Sequence, residues 1–480
     1  MRRQRVRFLL TFLAGISAAV LATSVSGTLS SVAATRYEDL ALFTNVLNLV
    51  RRNYVEPVDE GQLIRSAVRG MLQDLDPHSS FLDVDAYKEM QVDTRGEFHG
   101  LGIEITKRED GLIEVVSPIE GTPAAKAGLR PRDQIVTICP TEPPPDWKEP
   151  CRSTKTMTLV EAVNLMRGRK GSEITIEIFR EGFEKPQPFK IVRDVVKIVS
   201  VSGKLLEPGY GYVRLRTFQE HTTEDLEEVL AKLRKDGPLS GVVLDLRDNP
   251  GGLLDQAVRV ANAWISDGLV VYTKGRVDAQ RQDFRAQPGG TEPGYPLTVL
   301  VNEGTASASE IVAGALQDQH RALVLGTQTF GKGSVQTVYP LEGGAGLRLT
   351  TALYYTPSGR SIQEVGITPD IVVQQAGPIV ASAAPERRRL REGDLQGHFT
   401  HDEAEPGSAT PAPSGAAAPE EAPEGEATAA TDVQLARALE VLKSWTYFQH
   451  LQGEPGAAPL QARAESAKME GPQPAPAPNP

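Results

Sequence analysis

Between Gly211 and Val373 the chain alternates short apolar runs with amphipathic stretches, and this alternation limits its fold more than any other feature. The order reads as a strand over Gly211–Arg216, a helix over Glu224–Lys235 and a strand over Gly241–Leu246. A helix over Leu253–Trp264, a strand over Leu297–Val301, a helix over Ala308–Gln317 and a strand over Ala322–Leu325 follow. Strands separated by helices of this length point to an α/β layer fold. Upstream, Phe98–Val195 reads as short strands around one helix, and Arg36–Met90 as helical. Leu40, Phe43, Leu47, Val50 and Tyr54 recur there at spacings of three and four. That stripe lines a seam with another helix, either in the same chain or in a partner subunit.

Both ends of the 480-residue chain differ from its middle. Arg2, Arg3, Arg5 and Arg7 precede Phe8–Val25, which carries no charge, and Ser31-Val32-Ala33-Ala34 offers a small-residue cleavage site. The pattern is that of a signal peptide, and its apolar run also reaches the lower length of a membrane anchor. Either way the rest of the chain is expected to be exported. At the other end, Ala, Pro and Glu make up 21 of residues 401–430, too little apolar surface to offset the entropy of ordering, so this stretch reads as disordered. Val433–Leu451 looks helical, with Leu435, Leu439, Leu442 and Trp445 on one side, and 453–480 returns to Pro, Ala and Gly. With 62 acidic against 51 basic residues the chain carries a net charge of −11, which argues against nucleic acid as the main partner. Two cysteines make neither a disulfide scaffold nor a zinc site.

Most motifs that carry chemistry fail here. Gly326 to Lys332 starts like a P-loop, but Gly333 stands where Ser or Thr would hold magnesium. No GxSxG, HExxH or EF-hand loop occurs. His320 directly follows a helix, where a cation meets the negative end of the dipole, so a Ser-His-Asp triad is not expected. What remains is Gly304-Thr-Ala-Ser307-Ala-Ser309-Glu310, which follows a strand and opens a helix of small residues. Such a turn exposes a hydroxyl at a helix amino terminus, where amides and dipole favour a developing oxyanion. Twenty-five residues on, Lys332 lies in the Gly-rich run Phe330-Gly-Lys-Gly-Ser-Val-Gln336. A lysine held in apolar surroundings loses affinity for its proton and can then take one from a serine. On composition alone Lys332 reads more readily as a solvated loop lysine.

These residues resemble the carboxyl-terminal processing peptidases, also called tail-specific proteases, which use a Ser/Lys dyad. The resemblance runs in order over about Arg36–Gln374. Tyr54-Val55 and Asp74-Leu-Asp76-Pro-His78-Ser79-Ser80 are similar to the family's N-terminal helical region. Phe98-His-Gly-Leu-Gly-Ile103 and Gly121-Thr-Pro-Ala-Ala-Lys-Ala-Gly-Leu129 are similar to its PDZ domain. Asp245-Leu-Arg-Asp-Asn-Pro-Gly-Gly252, the Ser307 segment and Phe330-Gly-Lys-Gly333 are similar to its core. The resemblance implies an α/β (α+β) protease core of crotonase-like/ClpP-like type with an inserted PDZ domain, an N-terminal helical region and a largely disordered tail. The expected divisions are 1–33 signal or anchor, 34–95 helical region, 96–198 PDZ, 199–376 protease core and 377–480 tail with its short helix. It also implies Ser307 as nucleophile, Lys332 as general base and Gln336 as the residue orienting the lysine amine. The Ala308 amide, with one from Gly251 or Gly252, is the implied oxyanion hole. Ser309 lies close enough for the mapping to slip, and the interval to Lys332 favours Ser307.

The PDZ resemblance implies substrates that are proteins with apolar C-terminal tails, added as a strand to a sheet edge. Gly100, Leu101, Gly102 and Ile103 are the implied carboxylate loop, and Val160, Val163 and Met166 the apolar lining of the neighbouring helix. These side chains also suit plain core packing. Arg167 is a candidate link between peptide occupancy and the protease core. The chain departs from the family in a Pro-rich insertion between Cys139 and Cys151, which in an exported protein suggests a disulfide clipping the loop. No metal or organic cofactor is expected. A homo-oligomer through the N- and C-terminal helices, an adaptor or activator protein, and a periplasmic or inner-membrane-anchored location complete the expectations. A PDZ adaptor with a dormant core, or an acyl-CoA-processing enzyme on the related fold, are the rival readings.

Overall fold

The computed structural model describes residues 37–145, 147–289, 292–375, 390–400 and 432–452. The segment 1–33 and most of the tail, 401–430 and 453–480, therefore lie outside the described residues. The chain divides into two compact units, one ending at Leu75 and one beginning at Asp76. In the first, a helix over residues 37–53 is followed by the helix Glu60–Gln73, whose amino end is closed by Asp59 accepting the Gln62 N–H at 3.1 Å. Leu40, Phe43 and Tyr54 are exposed, while Leu47 and Val50 are half-buried. The predicted apolar stripe is thus present on the helix. No helix among the described residues is long and apolar enough to cross a membrane.

The second unit carries the PDZ sheet, with strands Ile103–Lys107, Ile113–Pro118, Gln134–Pro140, Glu173–Phe179 and Gln187–Val192 paired antiparallel in that order. Ile174, Ile176 and Ile178 alternate inward along one strand, as period-two patterning requires, and pack with Ile113, Val115, Ile135 and Ile138. The helix Leu159–Met166 is started by a capping box between Thr158 and Glu161. Cys139 and Cys151 are joined by a disulfide.

The unit also carries a six-stranded sheet. Val201–Glu207 pairs antiparallel with Tyr210–Leu215, and Tyr210–Leu215, Gly241–Asp245, Leu297–Val301, Leu323–Gly326 and Ile371–Val372 then run parallel. The crossover helices are Thr222–Leu233, Leu254–Asn262 and Ala308–Asp318. The alternation read from sequence is recovered, with no bound shifted by more than two residues. A second sheet, built on the long strand Gly346–Tyr355, receives Ser80–Leu82, Leu269–Lys274 and Ser334–Pro340.

Two stretches within 377–480 belong to this fold. Residues 390–400 dock through the Glu392 N–H on Phe330 O at 3.2 Å and through Arg391 on the carbonyls of Thr329 and Val365. The helix Val433–Gln452 covers the open face of the parallel sheet, burying Leu435, Leu439 and Leu442 against Tyr210, Val243, Leu300 and Leu325. Each such leucine contributes roughly 2 kcal/mol. Arg247, at the carboxyl end of Gly241–Asp245, latches that helix. It donates to both oxygens of Asp432 (3.0 and 2.7 Å) and to Gln434 (3.0 Å) while holding Asp245.

Candidate active site

Ser307 is set by the turn between the strand Leu297–Val301 and the helix Ala308–Asp318. Its backbone lies at φ 57°, ψ −117°, a conformation that costs a non-glycine residue about 1–3 kcal/mol. The surroundings enforce it. The Ala306 N–H donates to Asn249 O at 2.9 Å, and the Thr305 hydroxyl donates to Leu246 O at 2.7 Å while accepting the Asn302 N–H at 3.0 Å. A sharp strand-to-helix turn of this kind presents a hydroxyl at the end of a sheet, beside the positive end of a helix. Ser309, two residues on, is fully buried, with its hydroxyl at 2.7 Å from the carbonyls of both Asn249 and Ala306. It braces the turn.

Glu310 is the residue whose role the sequence hid. It is completely buried, and its two oxygens take four donors. One oxygen accepts Thr329 Oγ1 (2.6 Å) and the Gly331 N–H (2.8 Å). The other accepts the N–H of Ser307 (2.7 Å) and of Lys332 (3.0 Å). Burial drives its pKa up to about 7 against the pull of those donors. In sequence Glu310 is only an acid in a first helical turn.

Lys332 follows the strand Leu323–Gly326 in a loop that leads into Ser334–Pro340 without opening a helix. Gly333 lies so close to Gln363 that a Cβ there would sit 2.4 Å from its backbone nitrogen, which accounts for a glycine beside the lysine. Burial lowers the Lys332 pKa; Glu392 opposes this, Arg348 reinforces it, and Glu310 and Asp76 oppose it further.

Tyr354 joins the two residues. Its hydroxyl lies 2.9 Å from Ser307 Oγ and 2.6 Å from Lys332 O. A carbonyl can only accept, so the phenol proton goes to Lys332 O and the Ser307 hydroxyl donates to the phenol oxygen. Burial, with Glu310 adding to it, holds the Tyr354 pKa well above its usual value. No direct hydrogen bond joins the Ser307 and Lys332 side chains among the described residues.

Gln336 donates through Nε2 to Thr350 Oγ1 (2.9 Å), and Thr350 donates to Asp76 (3.0 Å). The Gln336 Oε1 is buried without a partner among the described residues, an arrangement costing about 1–3 kcal/mol unless a donor arrives. Asp76 gathers the N–H groups of His78 and Ser79, both at 2.8 Å, and the Ser79 hydroxyl at 2.6 Å. Burial pushes its pKa up, and these bonds together with Thr350 more than offset that and leave it lowered. The Asp76–Ser80 motif, read in sequence only as part of a helical region, thus stands beside the lysine loop.

Gly251 packs directly on Ser307: a Cβ there would lie 2.8 Å from Ser307 Cβ and 2.9 Å from the Ala308 nitrogen. Its own N–H is held by Asn249 Oδ1 at 2.9 Å. The bridge between Phe218 and Gly252 is made by the Phe218 and Leu253 N–H groups, so the Gly252 N–H takes no part in it.

Of the PDZ residues, Leu101, in the implied carboxylate loop, and Met166, on the implied groove helix, have their side chains buried in the domain core. Val160 is exposed, Val163 is half-buried, and Gly100, Gly102 and Ile103 border the loop. The Leu101 and Gly102 carbonyls are turned inward, accepting the N–H of Ala124 and Ile119 at 2.9 Å. Arg167 pairs with Glu89 and stands 5.0 Å over the Phe98 ring. No cluster of metal-ligating side chains occurs among the described residues.

Known proteins with this organisation are recognisable. Models of the activating protease CtpB N-terminal domain, the PDZ domain and peptidase family S41 match residues 16–86, 89–179 and 209–373. A carboxy-terminal-processing protease of Bartonella bacilliformis is 47% identical over 399 residues, covering 82% of this chain and 88% of its own. A carboxyl-terminal-processing protease of Synechocystis sp. is 39% identical over 70% of this chain and 76% of its own. The carboxy-terminal processing protease CtpA of Bacillus subtilis is 32% identical over 77% of this chain and 78% of its own. These matches define a serine-type peptidase core that carries a PDZ domain. The chain belongs to peptidase family S41, the carboxy-terminal processing proteases.

Proposed function

We propose that this chain is an exported serine endopeptidase that captures the C-terminal tails of proteins in its PDZ groove and cleaves with Ser307 and Lys332. The observation that carries the reading is the strained Ser307 backbone and the depressed Lys332 tied to one buried carboxylate. Neutral Lys332 accepts the Ser307 proton as Oγ attacks the scissile carbonyl, after the hydroxyl has turned from Tyr354. The oxyanion is met by the Ala308 amide and an amide of the Gly251–Gly252 turn, with Gly252 favoured because the Gly251 amide is engaged. Lys332 protonates the leaving amine, and water then releases the acyl group. The unpartnered Gln336 Oε1 serves as an acceptor for the lysine amine.

The Leu101–Gly102 loop, its carbonyls turned inward, offers its amides to a terminal carboxylate, and Val160 with Val163 favours apolar tails. Export fits the basic, apolar N-terminal segment and the disulfide. A periplasmic position follows, either free or anchored at the inner membrane, and the apolar stripe Leu40–Tyr54 suits a homo-oligomer.

The test uses protein starting near Ala34, with Ser307→Ala and Lys332→Ala beside it. Each is incubated with a loosely folded protein ending in apolar residues, and with the same protein ending in Asp-Asp. Cleavage by the wild type alone, faster for the apolar tail, is expected. Tight binding of the apolar tail without cleavage would instead leave a PDZ adaptor or a protease awaiting its activator.

A further inference from the structure

Lys332 is enclosed by more than its own loop. Glu392, from the docked segment 390–400, has a fully buried side chain. Its carboxylate accepts Gln363 Nε2 at 2.9 Å, and Gln363 Oε1 in turn accepts the Gly333 N–H at 2.9 Å. Its own N–H is bonded to Phe330 O. Glu392 is thereby tied to the chain on both sides of Lys332. His78 Nε2 lies 2.9 Å from each of its oxygens, and Arg348 fixes His78 through its carbonyl at 3.1 Å. Docking a short segment needs no buried carboxylate, and removing one from water is costly unless a charge repays it.

We propose that Glu392 is the counter-charge of the catalytic lysine: a positioning residue that stabilises the ammonium formed when Lys332 takes the Ser307 proton. The docked segment is then an element of the active site. This rests on the Ser307/Lys332 reading above. In the acylation step the Ser307 O–H bond breaks as the Oγ–carbon bond forms, and the proton adds to the Lys332 lone pair. It leaves later on the departing amine, and Glu392 neither gains nor loses a proton. Burial alone makes Lys332 a base that holds a proton poorly; a fixed carboxylate restores that capacity, as the aspartate does for the imidazolium of a Ser-His-Asp triad. The charges acting on Lys332 are Glu392, Glu310 and Asp76 against Arg348, and Glu392 is first among them. His78 is the titratable neighbour of Glu392 itself.

The test reads the lysine directly. In full-length Ser307→Ala protein, the reaction of Lys332 with fluorodinitrobenzene is followed against pH by peptide mass spectrometry, because only the neutral amine reacts. Glu392→Gln, close in shape, is expected to move the Lys332 midpoint to lower pH, and Glu392→Asp, which keeps the charge, to leave it near the wild type. With Ser307 restored, kcat of Glu392→Gln falls about tenfold or more while KM changes less than about twofold. Should Glu392→Gln fail to fold, as judged by thermal unfolding, Glu392→Leu carries the same expectation without asking for a hydrogen bond. A midpoint that loss of the charge leaves unmoved overturns the proposal. Lys332→Ala separates the two levels. If it is inactive while the midpoint is unmoved, only the role of Glu392 falls; if it retains activity, the dyad itself falls.

Discussion

The backbone N–H groups of Ser307 and Lys332, twenty-five residues apart, end on the same oxygen of Glu310, at 2.7 and 3.0 Å. The spacing of the two residues proposed as nucleophile and base is therefore set through Glu310 and their backbone amides, and does not depend on their own side chains finding each other. Glu310→Ala leaves four donors without their acceptor, and Glu310→Gln can replace only one of the two accepting oxygens. Both variants are expected to lose about 3 kcal/mol or more in urea unfolding and at least about a hundredfold in kcat.

The same carboxyl governs a pH dependence of stability. Its folded pKa, about 7, lies above that of a free glutamate, so the stability it contributes is fully present below the unfolded value and is lost as pH rises through about 7. Urea unfolding of wild type and Glu310→Gln at pH 5 and pH 8 checks this. The gap between them is expected to narrow at the higher pH, and a gap that widens would contradict the assignment.

Proteolysis is expected to follow the neutral form of Lys332. Because burial lowers that pKa, cleavage should rise with pH and reach its plateau below the range of an ordinary lysine. A rate of kcat/KM flat down to about pH 5 would remove Lys332 as the base.

Arg247 anchors the helix Val433–Gln452 to the core. Arg247→Met leaves Asp245 and Asp432 buried without their cation and is expected to cost about 3–5 kcal/mol. Limited proteolysis should then release the C-terminal helix from the variant and not from the wild type.

The disulfide should act locally. Opening the twelve-residue interval between Cys139 and Cys151 by Cys139→Ser with Cys151→Ser is expected to cost the PDZ domain up to about 3 kcal/mol. Thermal unfolding reads that loss, while acylation of Ser307 by a small trapping reagent should be unchanged.

The sequence reveals this molecule where the signals are local and fails where they are not. Strand and helix alternation from Gly211 to Leu325 is a matter of period, and the parallel sheet follows from it. Ser307 and Lys332 stand out because small residues and glycines surround them. Glu310 looks like an ordinary first-turn acid, and its burial exists only because Thr329, Gly331 and Lys332 return to it. Tyr354, His78 and Glu392 reach the same place from three other parts of the chain, with no spacing to announce them. Leu435, Leu439 and Leu442 showed an apolar face, but not that their own sheet would receive it. Met166 belongs to core packing, since a helix beside a groove must also bury one side, and Leu101 turns its side chain into the same core.

A ribosome delivers this chain from its amino end, and the helix that covers the parallel sheet is the last described part to emerge. Until Asp432 arrives to meet Arg247, the Tyr210 and Val243 face remains wet and Arg247, already paired with Asp245, lacks its second carboxylate. A peptidase assembled in this order cannot close its parallel sheet until Asp432 and the helix behind it have been made, so a copy interrupted before them leaves the ribosome with that face uncovered.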